Sequence, residues 1–217
     1  MIKPKIWLSS PHMGGTELNY IHDAFDSNWI APFGANITEF EHDLEKYLAN
    51  GVFAAALNSA TAGIHLGLIL LDTKLGDVVI CQSLTFSASA NPILYQGATP
   101  VFIDSEHETW NLCPIALENA IISTIQQGKT PKAIITVHLY GTPYKIEEIR
   151  AVANKYNIPI LEDSAEALGS SYNGQKCGTF GDISVFSFNG NKIITTSGGG
   201  AIITSSHKLK KKIQFLA

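Results

Sequence analysis

From residue 51 onward, short runs that are apolar throughout alternate with longer stretches whose apolar residues recur at helical spacing. The runs lie at 52–57, 77–81, 99–103, 133–138, 158–162, 183–188 and 201–204. The stretches at 61–71, 87–95, 114–127 and 146–156 read as helices. A strand without a polar side must be covered on both faces, and roughly ten to fifteen residues of helix between strands suits a parallel crossover. The pattern predicts an α/β domain of three layers around a mostly parallel sheet of about seven strands. The last two runs lie too close together for a helical crossover, so they are expected to pair antiparallel.

The first fifty residues follow a different pattern. Leu18, Ile21 and Phe25 recur at helical spacing, and so do Ile37, Phe40, Leu44, Tyr47 and Leu48. Between them, Trp29-Ile-Ala-Pro-Phe-Gly34 carries the turn formers and exposes aromatic residues. The expected division is a helical N-terminal arm over 1–50 and an α/β body over 51–217. The chain stops inside a helical pattern without a Gly or Pro stop signal, which reads as truncation.

Composition narrows the class without naming a chemistry. A chain of 217 residues that is 45% hydrophobic and 16% charged has the means to build a core and is not disordered. Its net charge of −4 argues against binding nucleic acid through a broad basic surface. Lys208, Lys210, Lys211 and Lys212 are the exception, and they read as the solvated face of a terminal helix. No apolar run approaches the ~20 residues of a bilayer span, and the first residues lack a signal-peptide core. Cys81, Cys113 and Cys177 form no C-x-x-C pair and cannot all pair with one another, which suits a reduced, cytoplasmic setting.

In a parallel sheet, ligands collect beyond the carboxyl ends of the strands, and four of those ends carry unusual residues. Leu57-Asn-Ser-Ala-Thr-Ala-Gly63 joins a strand to a helix with small residues, as an anion cradle does and as an ordinary Ser/Thr cap also does. Asp163, in Ile160-Leu-Glu-Asp-Ser-Ala-Glu166, suits a cationic ring nitrogen or, equally, a cap on the following turn. Ser187 closes another run, and Lys192 follows the Asn189-Gly190 turn beside Ser197-Gly-Gly-Gly200. That lysine is an amine for a Schiff base or a plain surface residue. Phe86, in Ser83-Leu-Thr-Phe-Ser-Ala-Ser89, suits stacking on a planar ligand or packing in the core. His138, Tyr140 and Gly141 border the same crevice and read as packing residues. The histidines lack metal-ligand spacing, so no metal is expected. Taken in order, a cradle, an aromatic ring, an acid, a hydroxyl and a lysine describe a pocket for pyridoxal 5′-phosphate.

The chain resembles the DegT/DnrJ/StrS sugar-nucleotide aminotransferases, which have the aspartate-aminotransferase type of fold. The resemblance runs from Pro11-His-Met-Gly-Gly-Thr-Glu17 through Ser27-Asn-Trp-Ile30 to the final lysines. Its most specific pieces are Ser59-Ala-Thr-Ala62, Glu162-Asp-Ser-Ala165 and Phe186-Ser-Phe188 with Lys192. It implies that Lys192 holds the cofactor, Asp163 pairs with the pyridine nitrogen and Phe86 stacks on the ring. By the same resemblance, Thr61 and Ala62 bind the phosphate through backbone N–H groups, and Ser187 does so through its hydroxyl. Glu166 stands where members often carry Gln or His near the ring hydroxyl. Asn189 stands where many carry His, and Ser197-Gly198 replaces a usual Gly-Glu.

What the resemblance implies for function is a two-stage transamination. An amino acid, by family habit glutamate, gives its amino group to the cofactor, which passes it to a nucleotide-linked keto sugar. Pro11-His-Met-Gly-Gly and Ile30-Ala-Pro-Phe33 look most like the 4-aminotransferases of UDP-linked 4-keto-6-deoxy-N-acetylhexosamines. GDP-linked 4-keto-6-deoxymannose is the nearest competitor, followed by 3-keto sugars. The family also implies a homodimer and a smaller C-terminal domain beyond this chain. Two other readings compete: a pyridoxal-phosphate-binding regulatory protein without catalysis, and a Rossmann-type nucleotide site at Ser197-Gly-Gly-Gly200. That run lacks the G-x-G-x-x-G spacing.

Overall fold

A computed structural model describes residues 5–7, 10–49 and 51–217. The strands are β1 (Phe53–Leu57), β2 (Val78–Gln82), β3 (Thr99–Ile103), β4 (Ala133–Val137), β5 (Ile160–Asp163), β6 (Ser171–Tyr172), β7 (Gln175–Lys176), β8 (Ile183–Ser187) and β9 (Gly200–Thr204). The helices are α1 (Glu17–Asp26), α2 (Ala35–Leu48), α3 (Ala60–Leu70), α4 (Asn91–Tyr95), α5 (Pro114–Gln126), α6 (Ile146–Tyr156) and α7 (His207–Leu216). Seven strands form one sheet in the order β1-β9-β8-β5-β4-β2-β3. Only β9 runs against its neighbours, pairing antiparallel with both β1 and β8. All the others therefore point their carboxyl ends at one edge, and the helix-bearing loops open there.

Alternate residues along each strand enter opposite layers, which accounts for strands without a polar face. Ile135, Leu161 and Val185 pack with α3 and with Ile213 of α7. Their neighbours Ile134 and Ile160 pack on the other side with Leu117 and Ile121 of α5 and Ile149 of α6. Helix α3 lies unusually close to the sheet because it carries glycine where it touches it. A Cβ at Gly63 would stand 2.9 Å from Val185 Cγ1, and one at Gly67 would stand 2.8 Å from Leu161 Cδ1.

Helix α2 packs Leu44 and Leu48 against Ala54, Phe186 and Ile203 at the β1 side of the sheet. Its carboxylates also cover the free edge of β1. The Ala54 N–H donates to Glu45 Oε1 and the Ala56 N–H to Glu41 Oε1, both at 2.9 Å. These are the donors an edge strand would otherwise present to another chain. Lys210 closes the arrangement with its ammonium 2.6 Å from Glu45 Oε1 and 3.8 Å from Glu41 Oε2. Lys210 is thus not part of a solvated lysine face, because α7 turns it inward while Lys208, Lys211 and Lys212 remain exposed. By contrast, α1 buries none of its residues.

The structure also divides the segment read as one helix over 87–95 into a 3₁₀ turn at Ser87–Ser89 followed by α4. It adds a small hairpin, β6 with β7, that the apolar pattern did not predict. The three cysteines are free. Among the described residues, no helix is long and apolar enough to cross a membrane.

Candidate active site

A cavity of about 330 Å³ opens at the carboxyl edge of the sheet, a size suited to a small planar ligand. Its wall comes from the N-terminus of α3 (Ser59, Ala60, Thr61), the loop after β2 (Thr85, Phe86), the end of β4 (Val137, His138) and Asp163 of β5. Glu166, Ser187, Asn189, Lys192 and Gly199 also line it. Thr61, Phe86, Asp163, Glu166, Ser187 and Lys192, read from the sequence as site residues, therefore share one cavity, and Ala62 is outside its wall.

Strand β5 ends in two adjacent carboxylates that the pleat sends to opposite faces of the sheet, where they meet opposite fates. Glu162 is fully buried and collects five donors. His138 Nε2 and the Gly178 N–H both reach Oε1 at 2.6 Å. The Phe180 N–H at 2.8 Å, the Gly181 N–H at 2.7 Å and the Ser184 hydroxyl at 2.8 Å reach Oε2. Burial alone would raise its proton affinity, but the His138 contact and the N–H donors overcome it and hold the carboxyl below its ordinary 4.5.

Asp163 is nearly as buried and less well served. Its Oδ2 accepts from the Ser89 hydroxyl at 2.6 Å and its Oδ1 from the Ala165 N–H at 3.1 Å. Burial wins here, raising the carboxyl above its ordinary 3.8 against the pull of Ser89, Ala165, Lys192 and His138. Among the described residues, no cationic side chain is in ion-pair contact with it. Asp163 is thus a buried acceptor at the cavity wall with lone pairs to spare, suited to a cationic N–H.

Lys192 sits one turn beyond β8, placed there by its backbone N–H, which donates to the Asn189 carbonyl at 2.9 Å. Its side chain is only 15% exposed, and its ammonium lies 3.0 Å from Glu166 Oε1. The other oxygen of Glu166 accepts the Tyr140 N–H at 3.0 Å, so the acid is fixed from two sides.

At the start of α3, Ser59 caps the helix, its hydroxyl accepting the Ala62 N–H at 3.1 Å. The cap reading of this segment is realised at Ala62, whose N–H is occupied by protein. The N–H groups of Ala60 and Thr61 precede the first intrahelical bond and face the helix's positive end, where an anion is favoured. Glycine permits the approach of β9 to this turn, since a Cβ at Gly200 would stand 2.3 Å from the Ser59 carbonyl carbon. The Gly-rich run therefore enters an antiparallel strand packed under α3, and the Rossmann-type reading of it is set aside. Phe86 is 79% exposed at the cavity, a ring free to stack on a ligand.

Sequence reasoning missed two supports of this site. Ser89 reaches Asp163 across 74 residues of chain, and Thr85 Oγ1 lies 2.7 Å from Ser89 Oγ. The donors to Glu162 come mostly from the segment 178–184. No local spacing announces either contact.

Comparison with known proteins agrees with this geometry. Over 213 residues the chain is 53% identical to EpsN of Bacillus subtilis (strain 168), provisionally named a pyridoxal phosphate-dependent aminotransferase; the match covers 98% of this chain and 55% of EpsN. It is 42% identical over 216 residues to the GDP-perosamine synthase of Caulobacter vibrioides, covering 98% of this chain and 56% of that protein. The crystal structure of an aminotransferase from Psychrobacter cryohalolentis superposes with a TM-score of 0.87 at 31% identity, covering 96% of this chain and 52% of that one. The chain thus spans about half the length of the relatives it matches. The pattern of one family extends over residues 11–217, across the arm, the sheet and every residue of the cavity, and by it the chain belongs to the DegT/DnrJ/EryC1/StrS aminotransferase family.

Proposed function

We propose that this chain forms the pyridoxal-phosphate-binding part of a sugar-nucleotide aminotransferase, which moves an amino group from an amino acid to a keto carbon of a nucleotide-linked deoxy sugar. The observation that carries the reading is Asp163, a buried carboxylate with no cationic side chain in ion-pair contact among the described residues, in one cavity with the amine of Lys192. The residues present fit the cofactor. Asp163 would receive its ring nitrogen, Phe86 would stack on the ring, and the N–H groups of Ala60 and Thr61 with the Ser187 hydroxyl would take its phosphate. The name of EpsN supports the same cofactor. We assign the helical arm to 1–50 and the cofactor-binding body to 51–217.

When bound, pyridoxal phosphate supplies an electron sink for a carbanion. Asp163 holds the proton on the ring nitrogen, through an ionised carboxylate that the Ser89 hydroxyl and Ala165 N–H keep oriented. Lys192 would take the proton from the amino acid's α-carbon and deliver it to the cofactor side within the same half-reaction, as general base and then acid, and would carry a proton in the opposite direction for the keto sugar. Glu166 holds the Lys192 ammonium until the amine is needed, itself fixed by the Tyr140 N–H.

For the sugar, we infer a 4-keto-6-deoxy substrate. The opening motifs favour a UDP-linked N-acetylhexosamine. The relative named GDP-perosamine synthase favours a second reading, a GDP-linked 4-keto-6-deoxymannose. We also infer a homodimer. Leu18, Ile21 and Phe25 of α1, with Trp29 and Phe33 beyond it, leave an exposed apolar surface for the second copy.

Borohydride reduction after adding pyridoxal phosphate, followed by peptide mapping, tests the cofactor site. A pyridoxyl adduct on Lys192 is expected. Labelling spread over Lys208, Lys211 and Lys212 instead would overturn the assignment. Incubating the loaded protein with glutamate and each keto sugar in turn then separates the two substrate readings.

A further inference from the structure

We infer that Thr85 and Ser89 form a two-hydroxyl relay onto the Asp163 carboxyl, and that through it both are positioning residues for the acid that receives the ring nitrogen. The inference rests on the cofactor reading above. Thr85 carries the chain of hydrogen bonds from the buried acid out to the wall of the cavity.

Side chains make every link of the chain. Ser89 is fully buried, and its hydroxyl lies 2.6 Å from Asp163 Oδ2, the length of a hydrogen bond to an ionised oxygen. Thr85 Oγ1 lies 2.7 Å from Ser89 Oγ, the length of a bond between two neutral hydroxyls. Both residues belong to the loop after β2, which is pinned at two points. Gln82, fully buried at the end of that strand, donates from Nε2 to the Leu84 carbonyl at 2.7 Å. The Ser89 N–H donates to the Phe86 carbonyl at 3.0 Å. One 3₁₀ turn thus holds Ser89 against Asp163, while Phe86, whose carbonyl closes that turn, lines the cavity.

Each hydroxyl has one hydrogen, so the chain has a direction. An ionised Asp163 can only accept: Ser89 donates to Oδ2, Thr85 donates to Ser89, and the Thr85 oxygen shows the cavity only lone pairs. With a proton on Oδ2 the order reverses: the acid donates to Ser89, Ser89 donates to Thr85, and Thr85 turns its own hydrogen to the cavity. Neither pattern sets two hydrogens against each other, so the acid changes state without orphaning a buried group. A cationic N–H beside Asp163 fixes the first pattern, in which both hydroxyl hydrogens point toward the acid. The Ala165 N–H on Oδ1 at 3.1 Å holds the other oxygen, which sets the plane of the carboxylate. Burial raises this carboxyl above its ordinary 3.8, and Ser89 is the strongest group opposing it. The titratable groups that bear on Asp163 are Cys81 on β2, His138 after β4 and Lys192 beyond β8, and none of them belongs to the relay.

The test reads Asp163 directly and then a bound ring. Ser89→Ala and Thr85→Val each remove one hydroxyl at almost constant volume, and Thr85→Ser keeps it. Carboxyl NMR on the protein without cofactor follows the titration of Asp163 in each. Asp163 is expected to titrate roughly one pH unit higher in Ser89→Ala than in wild type. A smaller rise is expected in Thr85→Val, and none in Thr85→Ser. The second probe is 4′-deoxypyridoxine 5′-phosphate, which has the ring and phosphate but no aldehyde and therefore binds without Lys192 chemistry. Its ultraviolet band reports whether the ring nitrogen is protonated. That band is expected to move toward the unprotonated form in Ser89→Ala and part of the way in Thr85→Val. An unmoved Asp163 titration in a folded Ser89→Ala protein would overturn the inference, and so would a Thr85→Val protein indistinguishable from wild type. Shifted titrations with an unmoved probe band would reduce the chain to a support of the fold and overturn the positioning role. If the titrations shift but wild type neither binds the probe nor is labelled at Lys192, the cofactor reading fails while the relay stands, so the two failures are distinct.

Discussion

Replacing Glu162 by Gln removes a charge and almost no volume, so its cost reads hydrogen bonding rather than packing. The five donors leave the amide two choices. If its oxygen takes the Oε1 position, the Phe180 and Gly181 N–H groups face an NH₂ and lose their acceptor. If the oxygen takes the Oε2 position, only the Gly178 N–H is orphaned, because His138 can change tautomer and accept. The second choice is cheaper, and it still leaves one buried donor unpaired at about 1–3 kcal/mol. The three bonds kept at the oxygen fall from charge-assisted to neutral strength, about 1 kcal/mol each. Release of the carboxylate's desolvation offsets part of this, and the net loss expected is about 3 kcal/mol. With a urea slope of ~2 kcal/mol per molar, the unfolding midpoint followed by circular dichroism at pH 7 should fall by about 1.5 M. The pH dependence has a definite sign. The folded protein holds this carboxyl below 4.5, so its stabilisation is complete above the unfolded value and is lost as pH falls through the folded one. The gap between wild type and variant should therefore persist at pH 5 and narrow only below 4.5. A midpoint shift under about 0.5 M at pH 7 would refute the hydrogen-bond reasoning.

Three further outcomes follow from local geometry. Gly200→Ala should cost about 3 kcal/mol or more in urea unfolding, since its Cβ would meet backbone at Ser59 and Ala60, at 2.3 and 2.5 Å, and neither can give way. Ser197→Gly should raise stability by about 1 kcal/mol, because Ser197 holds a left-handed φ of 67° that glycine adopts without strain; a lowered melting temperature would contradict this. Lys210→Met should cost about 1–2 kcal/mol by removing the cation over Glu45 and Glu41, with the titration of Glu45 moving upward when followed by carboxyl NMR.

Much of the sheet was legible because its strands are apolar on both faces, and the exceptions have physical causes. The apolar run at 158–162 misplaced β5, which spans Ile160–Asp163. Pro159 is apolar but has no N–H for the ladder, while Glu162 and Asp163 are polar yet buried, so hydrophobicity marked both ends wrongly. In the helix read over 87–95, Pro92 cannot donate backward, so the 3₁₀ turn ends and α4 starts with proline in its first turn. The hairpin of β6 and β7 turns at Asn173 and Gly174, with φ of 47° and 81°, a strong turn signal. Strands of two residues gave it no alternating flank to be read against.

The site divides along a similar line. Residues at the carboxyl ends of strands are placed by topology alone, and reading those ends brought Asp163, Ser187, Lys192, Glu166, Phe86 and Thr61 into one cavity. Contacts between distant segments carry no such signature. Ser89 and Asp163 are 74 positions apart, and Glu166 and Lys192 are 26 apart. Ala62 shows how one motif can carry two uses. Ser59-Ala-Thr-Ala62 marks both a cap and an anion cradle, and the two uses compete for the same four N–H groups. The Ser59 hydroxyl takes the donor of Ala62. The N–H groups of Ala60 and Thr61 have no such side-chain acceptor among the described residues, so the cap and an anion can share this end of α3. Gly200 keeps the backbone of β9 within reach of the same turn, a long-range approach that the local motif does not reveal.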